Sequence, residues 1–277
     1  MRKTEAAVLT RRTLFEQRQR RRSIVIATTS TVLVLVALIV LVPMTPGWEK
    51  VQKSFFNGPV LIKTFPKLIE AFKLNVMIFL WSAPMIAILG LLVALARNVK
   101  SPAMFPLRIL GGTFTDVFRG VPVILTVYLI GFGVPGLGLP RPWNSPYIWG
   151  SIALILTYSA YVAEIFRAGI DSVHPSQRAA ALSLGLSERQ VMREVVLPQA
   201  VRNVVPSQMN MLIALQKDVS LLSFIGPVEI FRQAGVFKSL MANFTPYVGA
   251  AIIFLLVTIP ATRYADYLME RQSRERS

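Results

Sequence analysis

The 277-residue chain has no cysteine and a single histidine, His174. The first absence excludes disulfides, thiolate metal sites and cysteine nucleophiles; the second excludes any metal centre built on two imidazoles. No glycine is followed directly by lysine, so the chain has no phosphate-binding loop in which to cradle ATP. Charge is scarce as well. Charged residues make up 16% of the chain and hydrophobic ones 53%, against about 25% charged in ordinary soluble domains. A water-soluble protein of this size could not cover its surface with so few charges. The charge that is there is one-sided: 30 Lys and Arg against 14 Asp and Glu, a formal +16. A chain both very apolar and basic fits an all-α membrane protein whose cations sit in its loops.

Five uncharged stretches, Ile24–Val42, Leu74–Ala96, Gly120–Pro140, Pro142–Ala163 and Ser239–Thr262, are near or above the ~20 residues a helix needs to cross a bilayer. A sixth, Val204–Gly226, qualifies if Lys217 and Asp218 are tolerated inside it. Two charges at mid-depth require partners or water, so that segment is expected to face protein or a hydrated path rather than lipid. The first stretch is too long for a signal-peptide core, and Val42-Pro43-Met44 offers no small-x-small cleavage site, so it reads as a retained anchor. Of the 30 Lys and Arg, 21 fall on one side of this six-helix arrangement and eight on the other. The positive-inside rule then puts both termini in the cytoplasm, with the chain crossing the membrane several times. The basic cluster Arg11–Arg22 is expected to meet anionic lipid rather than nucleic acid.

The predicted organisation is a basic cytoplasmic tail (1–23), an N-terminal span (24–42), an extracytoplasmic segment (43–73), a transmembrane domain (74–265) and a cytoplasmic end (266–277). In the outer segment, Pro66 followed by Leu68, Ile69 and Phe72 predicts a short interfacial helix. The cytoplasmic loop 169–203 carries the most local signal. Pro175 and Ser176 open a helix that Gln177–Leu184 continues, and Gly185 is its αL stop. Ser187 with Gln190 forms a capping box for a second helix, and Pro198 lies where that helix should bend or end. A short Ala-rich helix held between two turns can lie closely in a groove of another protein. Equally, Ala180 and Ala181 could pack on neighbouring spans.

Several blocks, in order, resemble the membrane subunits of type I ABC importers in the polar amino-acid branch. Arg119-Gly-Val-Pro122 is similar to that branch's Arg-Gly-x-Pro, and Ala163-Glu-Ile-Phe-Arg-Ala-Gly-Ile170 to its Ala-Glu-Ile-x-Arg-x-Gly-Ile. Gln177–Gly185 resembles the "EAA" loop, Leu197-Pro-Gln-Ala200 the block that follows it, and Leu215-Gln-Lys-Asp-Val-Ser-Leu221 the next span's Leu-x-Lys-x-Thr-Ser-Leu. The resemblance covers roughly residues 70–270 and implies a five-span core, to which the first helix is an addition. Ala179 stands where the loop usually has Glu, and Val219 where the later span usually has Thr. The resemblance also implies that Gln177, Arg178, Ala179, Ala180, Ala181, Gly185 and Leu186 couple the chain to a separate ATPase dimer, which would hold ATP and Mg. A second permease copy, identical or homologous, and an extracytoplasmic solute-binding protein would complete the importer.

Lys217, Asp218 and Ser220 are the candidate residues of the substrate pathway, Lys217 pairing at a subunit interface and Asp218 facing a polar cavity. Adjacent residues project about 100° apart on a helix, so the first two cannot face the same way. Glu164 and Arg167 are spaced for an ion pair. Arg119, Gly120, Pro122 and Pro198 are candidate hinge positions, and Pro84 and Pro122 are expected to kink their helices. No residue is assigned a catalytic or metal-binding role. A stand-alone carrier or channel for a small polar solute is the alternative, and an intramembrane enzyme lacks the paired acid and base it would need.

Overall fold

In the structure, a computed structural model, residues 2–99 and 101–274 are described, with side chains described over 19–99 and 101–271. The described residues form helices and turns with no strand, in two compact units that divide after Asn57. The first unit holds α1 (Arg2–Leu41) and α2 (Trp48–Phe55). Over Gln19–Leu41 every side chain of α1 is exposed, though this stretch is long and apolar enough to cross a membrane. A helix apolar all round has no polar face to turn to water, so lipid is its natural solvent. Ser30 and Thr31 return their hydroxyls to the Ala27 carbonyl at 3.0 and 2.7 Å, which satisfies them within the helix as hydrocarbon requires. The segment predicted as a tail is thus helical from Arg2, and its basic side chains up to Arg18 lie outside the described residues.

The second unit is organised around α6 (Pro146–Asp171), whose small residues let neighbours approach closely. It follows α3 (Gly58–Asn98), α4 (Phe105–Gly120) and α5 (Val123–Gly133), and precedes α7 (Pro175–Ser183), the single turn α8 (Glu188–Gln190), α9 (Leu197–Asp218), α10 (Ile230–Met241) and α11 (Thr245–Arg274). Leu154, Ile155, Tyr158 and Val162 of α6 pack with Ile78 and Ile86 of α3, Val127 of α5, and Leu215, Val219, Leu222 and Ile225 after them. A second cluster joins Leu68 and Phe72 of α3 to Ile230 and Ala234 of α10 and to Ala250 and Ile253 of α11. Among the described residues of both units, four helical stretches meet the length and hydropathy of a membrane span, or up to six if each bent pair is one span.

Three elements differ from the sequence expectation. Helix α3 begins at Gly58 and runs through Pro66 and Pro84 without interruption, so no separate interfacial helix forms. Its N-terminal half carries a buried stripe (Thr64, Leu68, Phe72 and Asn75) at helical spacing, and packing of that stripe on α10 and α11 continues the helix. The expected third span is a bent pair, with α4 and α5 meeting at 106°. Pro122 disfavours helical geometry at Val121, which is extended at φ −92° and ψ 130°, so the corner falls at the Arg119-Gly120-Val121-Pro122 block. Helix α4 falls between the apolar runs because Arg108, Asp116 and Arg119 interrupt it, yet Phe105, Leu107, Ile109 and Leu110 are exposed along it. Finally, Pro198 neither ends nor bends the second loop helix sharply. Val191–Val196 forms a π-helical turn that leads directly into α9, and the wider turn gives room to a proline ring that would otherwise meet the carbonyl four residues earlier.

Candidate functional site

The loop between α6 and α9 folds as its local chemistry dictates. His174 caps α7 by accepting from the Ser176 amide at 3.2 Å. At the other end the Leu186 amide reaches the Ala181 carbonyl at 3.2 Å and the Gly185 amide reaches Leu182 at 3.0 Å, an αL stop with Gly185 at φ +85°. The Ser187–Gln190 capping box forms in both directions. The packing expected of the alanines is made by Ala181 and not by Ala180, which is exposed. Ala181 is buried with Ile170, Val173, Val191, Val196 and Ala200, with Leu186 packed against them. Gln177, Ala179 and Ala180 are exposed, and Arg178 is half-buried. Leu184, 81% exposed, and Leu182 extend this outward face with apolar surface. Sequence reading missed these two leucines, because a helix of nine residues is too short for periodicity to separate inward from outward positions. The loop is thus bound to α6 and α9 by its inner face and leaves an alanine–leucine face uncovered.

Above the loop, three cations from three helices converge on one carboxylate. Glu164 of α6 pairs with Arg97 of α3, with Arg167 at 2.8 Å and with Arg119 of α4 at 3.5 Å. Arg97 also donates to Thr115 Oγ1 at 2.8 Å. The predicted Glu164–Arg167 pair is therefore one edge of a larger hub that fixes the ends of α3 and α4 on α6. Gly169, on the same helix, allows α9 to approach: an added Cβ would lie 3.0 Å from the Ala200 carbonyl oxygen and would collide with Val204. The hub borders a cavity of about 400 Å³ lined by Arg119, Tyr161, Glu164, Ser172, Asn203 and Ser207 among others. Asn203 donates to Ser172 Oγ at 2.7 Å, and the Arg119 guanidinium lies 5.7 Å from the centre of the Tyr161 ring. Arg119, 42% exposed, holds Glu164 only at 3.5 Å and is the arginine among the residues lining the cavity. A second cavity of about 350 Å³, apolar apart from Tyr158 and Gln208, lies between α3, α6 and α9.

Lys217, Asp218 and Ser220 are not among the residues lining either cavity. Asp218 ends α9 and accepts from the Tyr158 hydroxyl at 2.7 Å, while Ser220 accepts from Asn75 at 3.3 Å. Lys217 is exposed, with no ion-pair partner among the described residues. Asn203, Ser207, Asn75 and Glu229 went unnoticed in the sequence, where each is an isolated polar residue with no spacing signature. Among the described residues no group of His, Asp and Glu could hold a metal ion.

The profile of the family described as binding-protein-dependent transport system inner membrane component matches residues 64–274. The chain belongs to this family. The matched region takes in α4 to α11 and all but the first turns of α3, including the loop and the arginine hub. Among curated relatives, the Bacillus subtilis (strain 168) protein named "Probable amino-acid permease protein YxeN" is 37% identical over 202 residues, covering 72% of this chain and 88% of its own. The "Arginine transport system permease protein ArtQ" of the same organism is 30% identical over 203 residues, 73% of this chain and 90% of its own. A chain from a crystal structure of an amino acid ABC transporter with histidines superposes with a TM-score of 0.70 at 30% identity, covering 76% of this chain and 96% of that one. The methionine ABC transporter MetNI, in an inward-facing conformation, has a chain that shares the fold at TM-score 0.60 and 15% identity.

Proposed function

We propose that this family member is the permease subunit of an ATP-driven importer that moves an amino acid across the bacterial cytoplasmic membrane. A separate ATPase dimer docks on α7 and binds the ATP and Mg. A second permease, identical or homologous, completes the pathway, and an extracytoplasmic binding protein delivers the substrate. Both termini lie inside. The observation that carries this reading is α7 itself. It is capped at both ends, bound by its inner face to α6 and α9, and presents Ala179, Ala180 and Leu184 outward. A helix held in this way passes a push from a docked partner into two spans as a rigid body. The similarity to amino-acid permeases supports the substrate class, and the arginine-lined cavity offers a cation to an amino acid's carboxylate.

Leu184→Asp tests the docking face. Truncating or charging a central apolar contact of an interface costs about 2 kcal/mol or more, so ATPase co-purification and ATP-driven uptake should both fall sharply with membrane insertion intact. Full uptake by the permease alone, without ATP, would refute the reading and favour a stand-alone carrier. The pathway residues have their own test. Asp218→Asn keeps an acceptor for Tyr158 but removes the charge, and a charge-assisted bond is roughly twice as strong as a neutral one. Uptake kinetics are expected to change by roughly fivefold, about 1 kcal/mol; wild-type kinetics would leave Asp218 a purely structural residue.

A further inference from the structure

The chain between α9 and α10 is broken inside the second unit, where intact helix would leave no backbone group exposed. Val219–Ile225 forms a 3₁₀ segment, Gly226 has φ +125°, and α10 starts afresh at Ile230 at an angle of 50°. A new helix start presents unpaired amides, and here two buried side chains take them up. Asn75 Oδ1 accepts from the Ile230 amide at 3.2 Å. Glu229 accepts from the Phe231 amide at 3.0 Å and from the Arg232 amide at 2.8 Å. The two are joined by Asn75 Nδ2 donating to Glu229 Oε2 at 3.0 Å, and the same amide reaches Ser220 Oγ at 3.3 Å. Glu229 is wholly buried and Asn75 is 1% exposed. Among the described residues no cation pairs with the carboxylate: the neighbouring Arg232 guanidinium donates instead to the Ser223 carbonyl at 2.8 Å.

We infer that Asn75 and Glu229 are positioning residues of an outer gate, a clasp that holds the broken segment against α3 and must part for substrate to enter. The inference rests on the importer reading, with the α10 end of the unit facing outside. Its physical basis is that a dry carboxylate solvated only by neutral donors has no stable half-open state. Withdrawing the Asn75 amide leaves the buried charge with only the Phe231 and Arg232 amides until water replaces the lost donor, so the clasp favours closed and dry or open and wet. Both ends of the segment are secured to the scaffold of α3 and α6, the lower through Asp218 and Tyr158 and the upper through Asn75. Ser223, 5% exposed, lies within the segment, and its Oγ has no partner among the described residues. It borders a groove of about 580 Å³ shared with Arg232, Lys238 and Tyr247, a route by which a reagent could arrive once the clasp parts.

The absence of cysteine from this chain lets Ser223→Cys be read as labelling of this subunit alone, separated from its partners after reaction in the full transporter reconstituted in liposomes. A membrane-impermeant maleimide added outside should label it slowly at rest and faster when ATP and loaded binding protein are present. Adding Asn75→Ala should raise the resting rate by roughly tenfold, the order contributed by one hydrogen bond to a charged acceptor, and should raise ATP hydrolysis without binding protein. If the double variant does not assemble, Ser220→Ala, which removes only one of the Asn75 contacts, should raise the resting rate at least about twofold. An unchanged resting rate in whichever variant assembles overturns the clasp. Resting labelling needs no ATP turnover, so a failure of the importer reading would show separately, as wild-type transporter that neither hydrolyses ATP nor takes up amino acid.

Discussion

Gly185→Val is expected to abolish coupling between ATP hydrolysis and uptake while the chain still inserts and folds around α6. The residue sits at φ +85°, in the left-handed region, which costs an L-residue about 1–2 kcal/mol and is a genuine outlier for a β-branched side chain. Space is not the obstacle, since nothing lies within 4 Å of an added Cβ. The cost falls on the backbone, and the cheapest relief is for the last turn of α7 to unwind. That would break the Leu186–Ala181 and Gly185–Leu182 bonds, shift Leu184, and free the inner face from the cluster around Ala181. Uptake should drop by at least about tenfold, while ATPase remaining in the complex runs without transport. Asn tolerates this backbone region, so Gly185→Asn should recover much of the coupling. Valine at wild-type uptake, or asparagine as damaging as valine, would remove the backbone argument.

What the sequence reveals and what it hides follows from the range of each interaction. The α7 boundaries and the capping box of Ser187 and Gln190 were legible because each is decided within four residues. Four of the six apolar runs, those in α1, α3, α6 and α11, were legible for a similar reason, since lipid selects for unbroken apolar length. The ends of those runs were not. Where α3 begins depends on Leu68 and Phe72 meeting Ile230 and Ala250, residues more than 150 positions away. Helix α4 escaped notice because its three charges are answered in part from elsewhere: Arg119 by Glu164 of α6, and Arg108 by the Val99 carbonyl at 3.5 Å. The buried Asn75–Glu229 pair is the extreme case. Each looks like a lone polar residue in an apolar segment, and only tertiary structure makes them partners.

The same distinction sets the expected effect of Glu164→Ala. Read from sequence, Glu164 and Arg167 form an i,i+3 pair whose loss would cost only a few tenths of a kcal/mol. In the fold, Glu164 and Arg97 retain only 17% and 19% side-chain exposure, and removing the carboxylate leaves Arg97 poorly solvated among packed helices. Breaking a buried pair on one side costs about 3–5 kcal/mol; with that residual exposure the low end applies, near 3 kcal/mol. At roughly 2–4 °C per kcal/mol, the purified protein should lose about 6–12 °C in Tm. Arg167→Ala, which removes a 43% exposed partner, should shift it by no more than ~2 °C. Arg97→Met combined with Glu164→Leu replaces both charges with apolar volume, a change that is often neutral for buried pairs. Most of the lost Tm should return in that double variant, because Arg119 and Arg167 are open enough to be hydrated. Its uptake divides two roles for the hub. Transport restored along with Tm would make Glu164 a strut between α3, α4 and α6. Stability without transport would mean that the carboxylate also acts on what passes through the cavity beside it.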